Sequence, residues 1–118
     1  MIRIELPYPP TTNNLFANSG KSRRKTPAYK AWIELASTRI KASHRQNLGP
    51  YSMSIAVKRP DNRRRDISNL EKAVSDLLVS HGVIQDDSLC ERITLAWDNG
   101  ITADCVVIIN PAEEGLAA

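Results

Sequence analysis

Residues 58–87 read KRPDNRRRDISNLEKAVSDLLVSHGVIQDD. A basic run meets an isolated aspartate, Asp66, a helical pattern starts at once, and two more aspartates, Asp86 and Asp87, follow it. Leu70, Ala73, Val74, Leu77 and Leu78 recur at helical spacing, which predicts a helix over 69–80. Ser68 and Glu71 have the S-x-x-E form of a capping box, and Gly82 stands where a left-handed C-cap favours glycine. Positive charge beside clustered carboxylates suits a polyanionic partner and a bound metal.

Outward from this stretch the pattern is α/β, of the α+β kind. Ile2, Ile4 and Leu6 alternate with Arg3 and Glu5, a half-buried strand ended by Pro7, Pro9 and Pro10. Residues 11–27 lack apolar periodicity and predict a loop carrying Lys21, Arg23, Arg24 and Lys25, either a solvated surface or a clamp for phosphates. Pro27 opens a helix whose apolar positions, Tyr29, Trp32, Ile33, Ala36 and Ile40, oppose Lys30, Glu34, Lys41 and Arg45. Trp32 reads as core rather than a stacking platform, and His44 as a solvent-facing residue complementing the helix dipole. Tyr51, Met53, Ile55 and Val57 mark the second strand; Ile93, Leu95 and Trp97 the third. Asn99-Gly100 predicts a tight hairpin to a fourth strand over 102–109, whose apolar 105–109 run belongs in the middle of a sheet. The expected order is β-α-β-α-β-β, one mixed four-stranded sheet with two helices on one face. The domain is expected over 1–110, with a frayed tail over 111–118.

The 118 residues suit one domain with a real core. Residues 1–65 carry 14 Lys/Arg against 3 Asp/Glu, whereas residues 66–118 carry 2 against 10, so the net charge of +3 conceals a basic and an acidic half. That asymmetry points to a nucleic-acid partner, or to halves that pair across a fold or dimer interface. No run of about 18 apolar residues is present, so no membrane span is expected. The opening MIRIELPYPP lacks the apolar region of a signal peptide, so a cytoplasmic location is expected, with Cys90 and Cys105 as reduced, buried thiols. Aromatic residues make up only 5%, which leaves few rings for stacking single-stranded bases and argues against an RNA-binding domain.

The candidate site is built from the central stretch. Asp66 is either a simple helix-start acid or, directly behind Arg63, Arg64 and Arg65, an acid held beside a phosphate chain. If Asp86 and Asp87 converge on it, the carboxylates form an oxygen site for Mg²⁺. Lys72 either pairs with Asp76 or Glu71 on the helix surface or stabilises charge on a scissile phosphate.

These residues, in this order, resemble the RusA-type Holliday-junction resolvase family. The opening Leu6-Pro7-Tyr8-Pro9-Pro10-Thr11-Thr12-Asn13-Asn14 is similar to that family's L-P-x-P-P-S-x-N, and the central stretch to its R-R-D-x-D-N-x-x-K followed by D-D. The similarity runs over about residues 3–110. It implies a small homodimeric, Mg²⁺-dependent endonuclease (Mn²⁺ can substitute) that nicks opposing strands of four-way DNA junctions in recombination and repair. Asp66 matches the first catalytic aspartate, Lys72 the catalytic lysine and Asp87 the catalytic member of the later pair, with Asp86 its neighbour. Metal ligation is expected from Asp66 and Asp87, with weaker help from Asp86 and, through water, from Ser68. DNA contacts are expected from Arg63, Arg64, Arg65, Lys21, Arg23, Arg24, Lys25, Asn14 and Asn69. Ser68 departs from the pattern, because it stands where the family carries a second aspartate. It removes one charge and one strong oxygen ligand, so the expectation is reduced but retained cleavage. The alternative is a dimer that binds branched DNA and cuts poorly or not at all.

Overall fold

The 105–109 run fills an interior strand, with Cys105, Val107 and Ile109 in the core and both of its edges paired, to the strands over 2–6 and 51–57. The computed structural model describes residues 1–112. Its strands are β1 (Ile2–Leu6), β2 (Phe16–Ser19), β3 (Ser22–Lys25), β4 (Tyr51–Val57), β5 (Cys90–Trp97) and β6 (Cys105–Pro111); its helices are α1 (Pro27–Ser37) and α2 (Glu71–Ser80). Four strands make a mixed sheet in the order β1-β6-β4-β5, in which only β4 and β5 run parallel. Register stacks Ile4, Val107, Ile55 and Leu95 in one row and Leu6, Cys105, Val57 and Trp97 in the next. This face and the apolar sides of both helices share one core, which includes Tyr29, Trp32, Ala36, Leu70, Val74 and Leu78. Burial fades toward β5, the edge strand, where Ile93 is 42% exposed.

Several expectations are corrected. The stretch after the prolines is not all loop. Thr12–Asn14 form a 3-10 turn, and β2 and β3 pair as an antiparallel ribbon turning at Gly20, whose φ of +63° favours glycine. Every ribbon residue except Phe16 is exposed, so no alternation marks it in the sequence. Phe16 roots it by an edge-on contact with Tyr29, ring centroids 5.8 Å apart, and the Arg23 guanidinium lies 4.9 Å above the Phe16 ring.

Helix α1 stops at Ser37, short of the polar positions Lys41 and Arg45. The Thr38 hydroxyl donates to the Leu35 carbonyl at 2.6 Å, and the chain turns away while Ile40 still reaches the core. His44 therefore sits in a separate 3-10 turn, and its Nδ1 accepts the Lys41 N–H at 3.0 Å. The helix start behaves as read: Pro27 is in the first turn and the Thr26 hydroxyl accepts the Tyr29 N–H. The Trp32 indole is buried and donates to the Pro7 carbonyl at 3.1 Å.

Asn99-Gly100 does not close a hairpin between β5 and β6. Strand β4 lies between them, so the connection crosses the end of β4, with Asp98 N–H donating to Val57 and Lys58 N–H to Asp104. Strand β6 runs through Pro111, and Ala112 N–H donates to the Pro50 carbonyl. Residues 113–118, the rest of the expected tail, lie outside the described residues. Both cysteines are free; Cys105 is buried, and Cys90 only partly so. No helix among the described residues is long and apolar enough to cross a membrane.

Gly82 closes α2 with a φ of +70°, as its position implies. Beside it His81 Nε2 lies 2.8 Å from the Ser37 hydroxyl, tying α2 to α1. Burial, and then the Arg45 charge, lower the His81 pKa below its ordinary value of 6.5. The unfolded chain thus takes up this proton more readily than the folded one, and stability rises with pH through the histidine range. Burial lowers His44 in the same sense. Thermal melts should show full stability above about pH 6.5 and a declining melting temperature as pH falls below it. A His81→Gln, His44→Gln double variant should flatten that decline.

Candidate active site

A ten-residue α2, about 15 Å long, is the crossover between the parallel strands. In a simple strand–helix–strand unit its start would lie beyond the end of β4, far from the residues that begin β5. Here residues 58–66 carry the chain back first. Ser68 and Glu71 consequently face Cys90, Ile93 and Leu95 of β5 across an open cleft of about 400 Å³. Asp87 opens the 3-10 turn Asp87–Leu89 that leads into β5. The segments bearing the sequence-predicted acids are thus brought to one end of the crossover.

Asp66, not Ser68, caps the helical segment. A 3-10 turn, Ile67–Leu70, precedes α2, and Asp66 Oδ1 accepts both the Ser68 N–H at 3.1 Å and the Ser68 hydroxyl at 2.7 Å. The predicted capping box is absent, because the Ser68 hydroxyl is spent on Asp66 and Glu71 Oε1 instead accepts the Ser75 hydroxyl. Asp66 is exposed, with Oδ1 engaged. Asp86 and Asp87 are also exposed; a hydrogen bond from the Ser88 hydroxyl holds the Asp86 carboxyl below its usual range. Lys72 Nζ lies 3.2 Å from Asp76 Oδ1, one turn along α2, so its surface pairing is the arrangement present.

The basic run is organised by a residue that the sequence marks only as a turn former. Asp61 takes a forked contact from Arg65, Nε to Oδ1 at 3.1 Å and a terminal guanidinium nitrogen to Oδ2 at 2.6 Å, while the Arg63 N–H donates to Oδ1. These bonds, Arg65's first, hold the Asp61 carboxyl down to about 2. Arg65 is thereby committed, whereas the Arg63 side chain is 82% exposed and Arg64 is also exposed. At the front of the run the Arg59 guanidinium lies 4.7 Å above the Trp97 ring.

Asn14 and Asn69 belong to the joint between the N-terminal motif and the helix start. The Thr12 hydroxyl donates to the Asn69 carbonyl at 3.0 Å, Asn14 Nδ2 donates to the Thr11 hydroxyl, and the Asn14 carbonyl accepts the Thr26 hydroxyl at 2.7 Å. Lys21, Arg23, Arg24 and Lys25 are exposed on the ribbon, and Lys25 lines a groove with Asp76 of α2. Glu71 is not the predicted cap but accepts the Ser75 hydroxyl, whereas Tyr51 is buried in β4 as its alternation implies. The four-residue spacing of Asp61 and Arg65 was the available signal for the anchor of Arg65.

Among the described residues no three His, Cys, Asp or Glu side chains converge as a ready metal cluster. The donors present are hard oxygens on exposed carboxylates, which fit Mg²⁺ or Mn²⁺ rather than a thiolate-bound metal. Mg²⁺ commonly takes one or two protein carboxylates and completes its shell with waters and phosphate oxygens.

A family model described as endodeoxyribonuclease RusA matches residues 7–109. The chain is 34% identical over 91 residues to the crossover junction endodeoxyribonuclease RusA of Shigella sonnei, the match covering 72% of each chain. It is 32% identical over 88 residues to the protein of that name from Enterobacteria phage 82, and 31% over 88 residues to that of Escherichia coli K12, again over 72% of each. With three-quarters of the chain or more under that family model, this protein belongs to the endodeoxyribonuclease RusA family.

Replacing Asp61 with Asn should release Arg65 and loosen residues 61–66 without disturbing the core. Limited trypsin digestion should then cut at Arg63, Arg64 and Arg65 faster than in the wild type, while the far-ultraviolet circular dichroism stays unchanged.

Proposed function

We propose that this protein is a divalent-metal-dependent endonuclease that acts as a homodimer and resolves four-way DNA junctions by paired nicks. The observation that carries the reading is the chemistry of residues 61–66: exposed Arg63 and Arg64 stand three and two residues before an acid, Asp66, fixed by two hydrogen bonds. Family membership supports it, since the related proteins are named crossover junction endodeoxyribonucleases. A four-way junction has two-fold symmetry, and paired nicks on opposing strands call for two sites related by a two-fold axis.

Arg63 and Arg64 position phosphates, and the ribbon cations Lys21, Arg23, Arg24 and Lys25 extend the basic surface. Asn14 and Asn69, at the joint behind the helix start, steady that surface and offer amides to the backbone of the DNA. Asp66 and Asp87 would hold Mg²⁺, with Asp86 beside them. When bound, the ion polarises a phosphoryl oxygen and makes an attacking water more acidic. Lys72 leaves Asp76 to meet negative charge developing at the scissile phosphate. The surface pair it gives up is worth only about 0.2–0.5 kcal/mol, so the move is inexpensive. Ser68 keeps Asp66 Oδ1 occupied, leaving Oδ2 as the oxygen turned outward. Missing the second aspartate's charge, the protein cleaves more slowly but does cleave.

The Ser68–Asp66 bonds also favour a second reading, in which the acid is held by the protein and the dimer binds branched DNA with little cutting. A synthetic four-way junction with Mg²⁺ or Mn²⁺ separates the two. Under the first reading the wild type nicks symmetrically, Asp87→Asn loses on the order of 10²-fold or more in rate, and Ser68→Asp gains rate. Binding without nicking by the wild type, with nicking gained in Ser68→Asp, establishes the second reading. The double variant Arg63→Ala, Arg64→Ala should lower the slope of log affinity against log salt by about 2, as read from junction binding at several salt concentrations.

A further inference from the structure

A cleft at the β1 edge of the sheet gathers charged side chains that the proposed function does not use. Between Glu34 and Asp61 the sequence carries no acid, while Arg39, Lys41 and Arg45 come just past the end of α1. Cations beyond a helix C-terminus usually do no more than complement its dipole. Here the turn that follows the helix lies against β1, and Arg39, Lys41 and His44 line one cleft of about 290 Å³ with Arg3 and Glu5. Arg3, Arg39 and Lys41 are exposed, and neither Arg39 nor Lys41 has an acidic partner among the described residues. Among those residues Glu5 is the one carboxylate of the lining, and the Arg3 guanidinium already lies 3.7 Å from it. The His44 ring takes the Lys41 N–H on Nδ1, which leaves Nε2 as its open nitrogen.

Three permanent cations thus share a cleft with one acid. Like charges gathered in a concave site repel one another and focus a field that draws an anion in. Guanidinium forks beside an ammonium group suit phosphate oxygens. The position of the cleft favours a phosphate on a long polyanion. Strand β1 lies three strands from β5, and Arg3 shares a row with Ile108, Ser54 and Thr94. At about 4.8 Å per strand that row spans about 15 Å, or roughly four nucleotide steps along one strand of a duplex. A single phosphate gains nothing from this separation, whereas a duplex arm engaged at the candidate site beside β5 carries further phosphates to it.

We propose that this cleft is a second phosphate-binding site, in which Arg3, Arg39 and Lys41 hold the backbone of a DNA arm about 15 Å from β5. This rests on the DNA-binding reading above and deepens it with a contact away from the acids. Backbone contacts of this kind carry no sequence information; they fix the direction in which an arm leaves the site.

The test is junction binding at several salt concentrations. Arg39→Ala and Lys41→Ala should each lower the slope of log affinity against log salt by about 1. Arg45→Ala, which removes a neighbouring exposed cation from outside the cleft, should leave the slope unchanged. Glu5→Gln removes the opposing charge and frees Arg3, so it should tighten binding, an effect that a damaged fold does not imitate. A junction whose arm phosphates are neutral methylphosphonates from about the fourth base pair outward should bind the wild type and the Arg39→Ala, Lys41→Ala double variant equally. Equal losses in Arg45→Ala and Arg39→Ala overturn the proposal, as does a methylphosphonate junction that still separates the wild type from the double variant. His44 ring resonances that move with inorganic phosphate, while the double variant binds junctions as the wild type does, put a free anion in the cleft and overturn the assignment to DNA. If the wild type nicks junctions and neither cleft variant changes the slope, this inference fails and the proposed function stands. If the wild type binds junctions and linear duplex alike, nicks neither, and loses slope in the cleft variants, the cleft stands and the proposed function fails.

Discussion

Strands β4 and β5 run parallel and side by side, so the chain between them must leave one end of the sheet and return to the other. The candidate site depends on how that return is made. A parallel pair cannot be joined by a tight turn, and the intervening residues hold the arginines, the helix start and the acids. The return begins in the basic run rather than in the helix. As a result α2 starts near where β5 starts, and Ser68 and Glu71 look across at Cys90. Had α2 followed β4 directly, Asp66 and Asp87 would sit at opposite ends of the strands.

What holds this arrangement is modest and local. Asp61 folds the basic run through Arg65, Asp66 caps the turn that follows, and Thr12 fastens the N-terminal motif to Asn69. None of these contacts is deeply buried, so each contributes far less than the apolar core beneath them. Their role is direction. They commit Arg65 to Asp61, with the exposed Arg63 side chain 4.0 Å from the same carboxylate, which keeps a segment rich in like charges from spreading apart.

The parts legible in the sequence are those whose surroundings impose a period. Strands β1 and β4 alternate because one of their faces meets the helices, and 105–109 reads as interior because strands pair along both of its edges. Helix α2 shows its apolar stripe for the same reason. The β2–β3 ribbon was illegible because it buries almost nothing, and a two-stranded element with two wet faces leaves no alternation to find. Asn99-Gly100 misled because a good turn pair says nothing about a third strand coming between its neighbours. At the candidate site, residue type and spacing single out Asp66, Asp86, Asp87 and the arginines as candidates, and the family resemblance alone assigns them roles. Their partners were not legible: whether Ser68 serves the helix or Asp66, and whether Lys72 meets Asp76, are decided by rotamers and distances that no pattern encodes.

The ribbon has a geometric consequence. Its register places Phe16, Asn18, Arg23 and Lys25 on one face and Ala17, Ser19, Ser22 and Arg24 on the other. Only the root is anchored, through Phe16 on Tyr29, while the tip at Gly20 is free of the body. Cations therefore stand on both faces of a slender arm whose root is held by the Phe16–Tyr29 contact and by the hydrogen bonds of Thr26 to Asn14 and Leu15. Such an arm can lie between two negatively charged rods and engage both at once, which a basic patch on a flat surface cannot do.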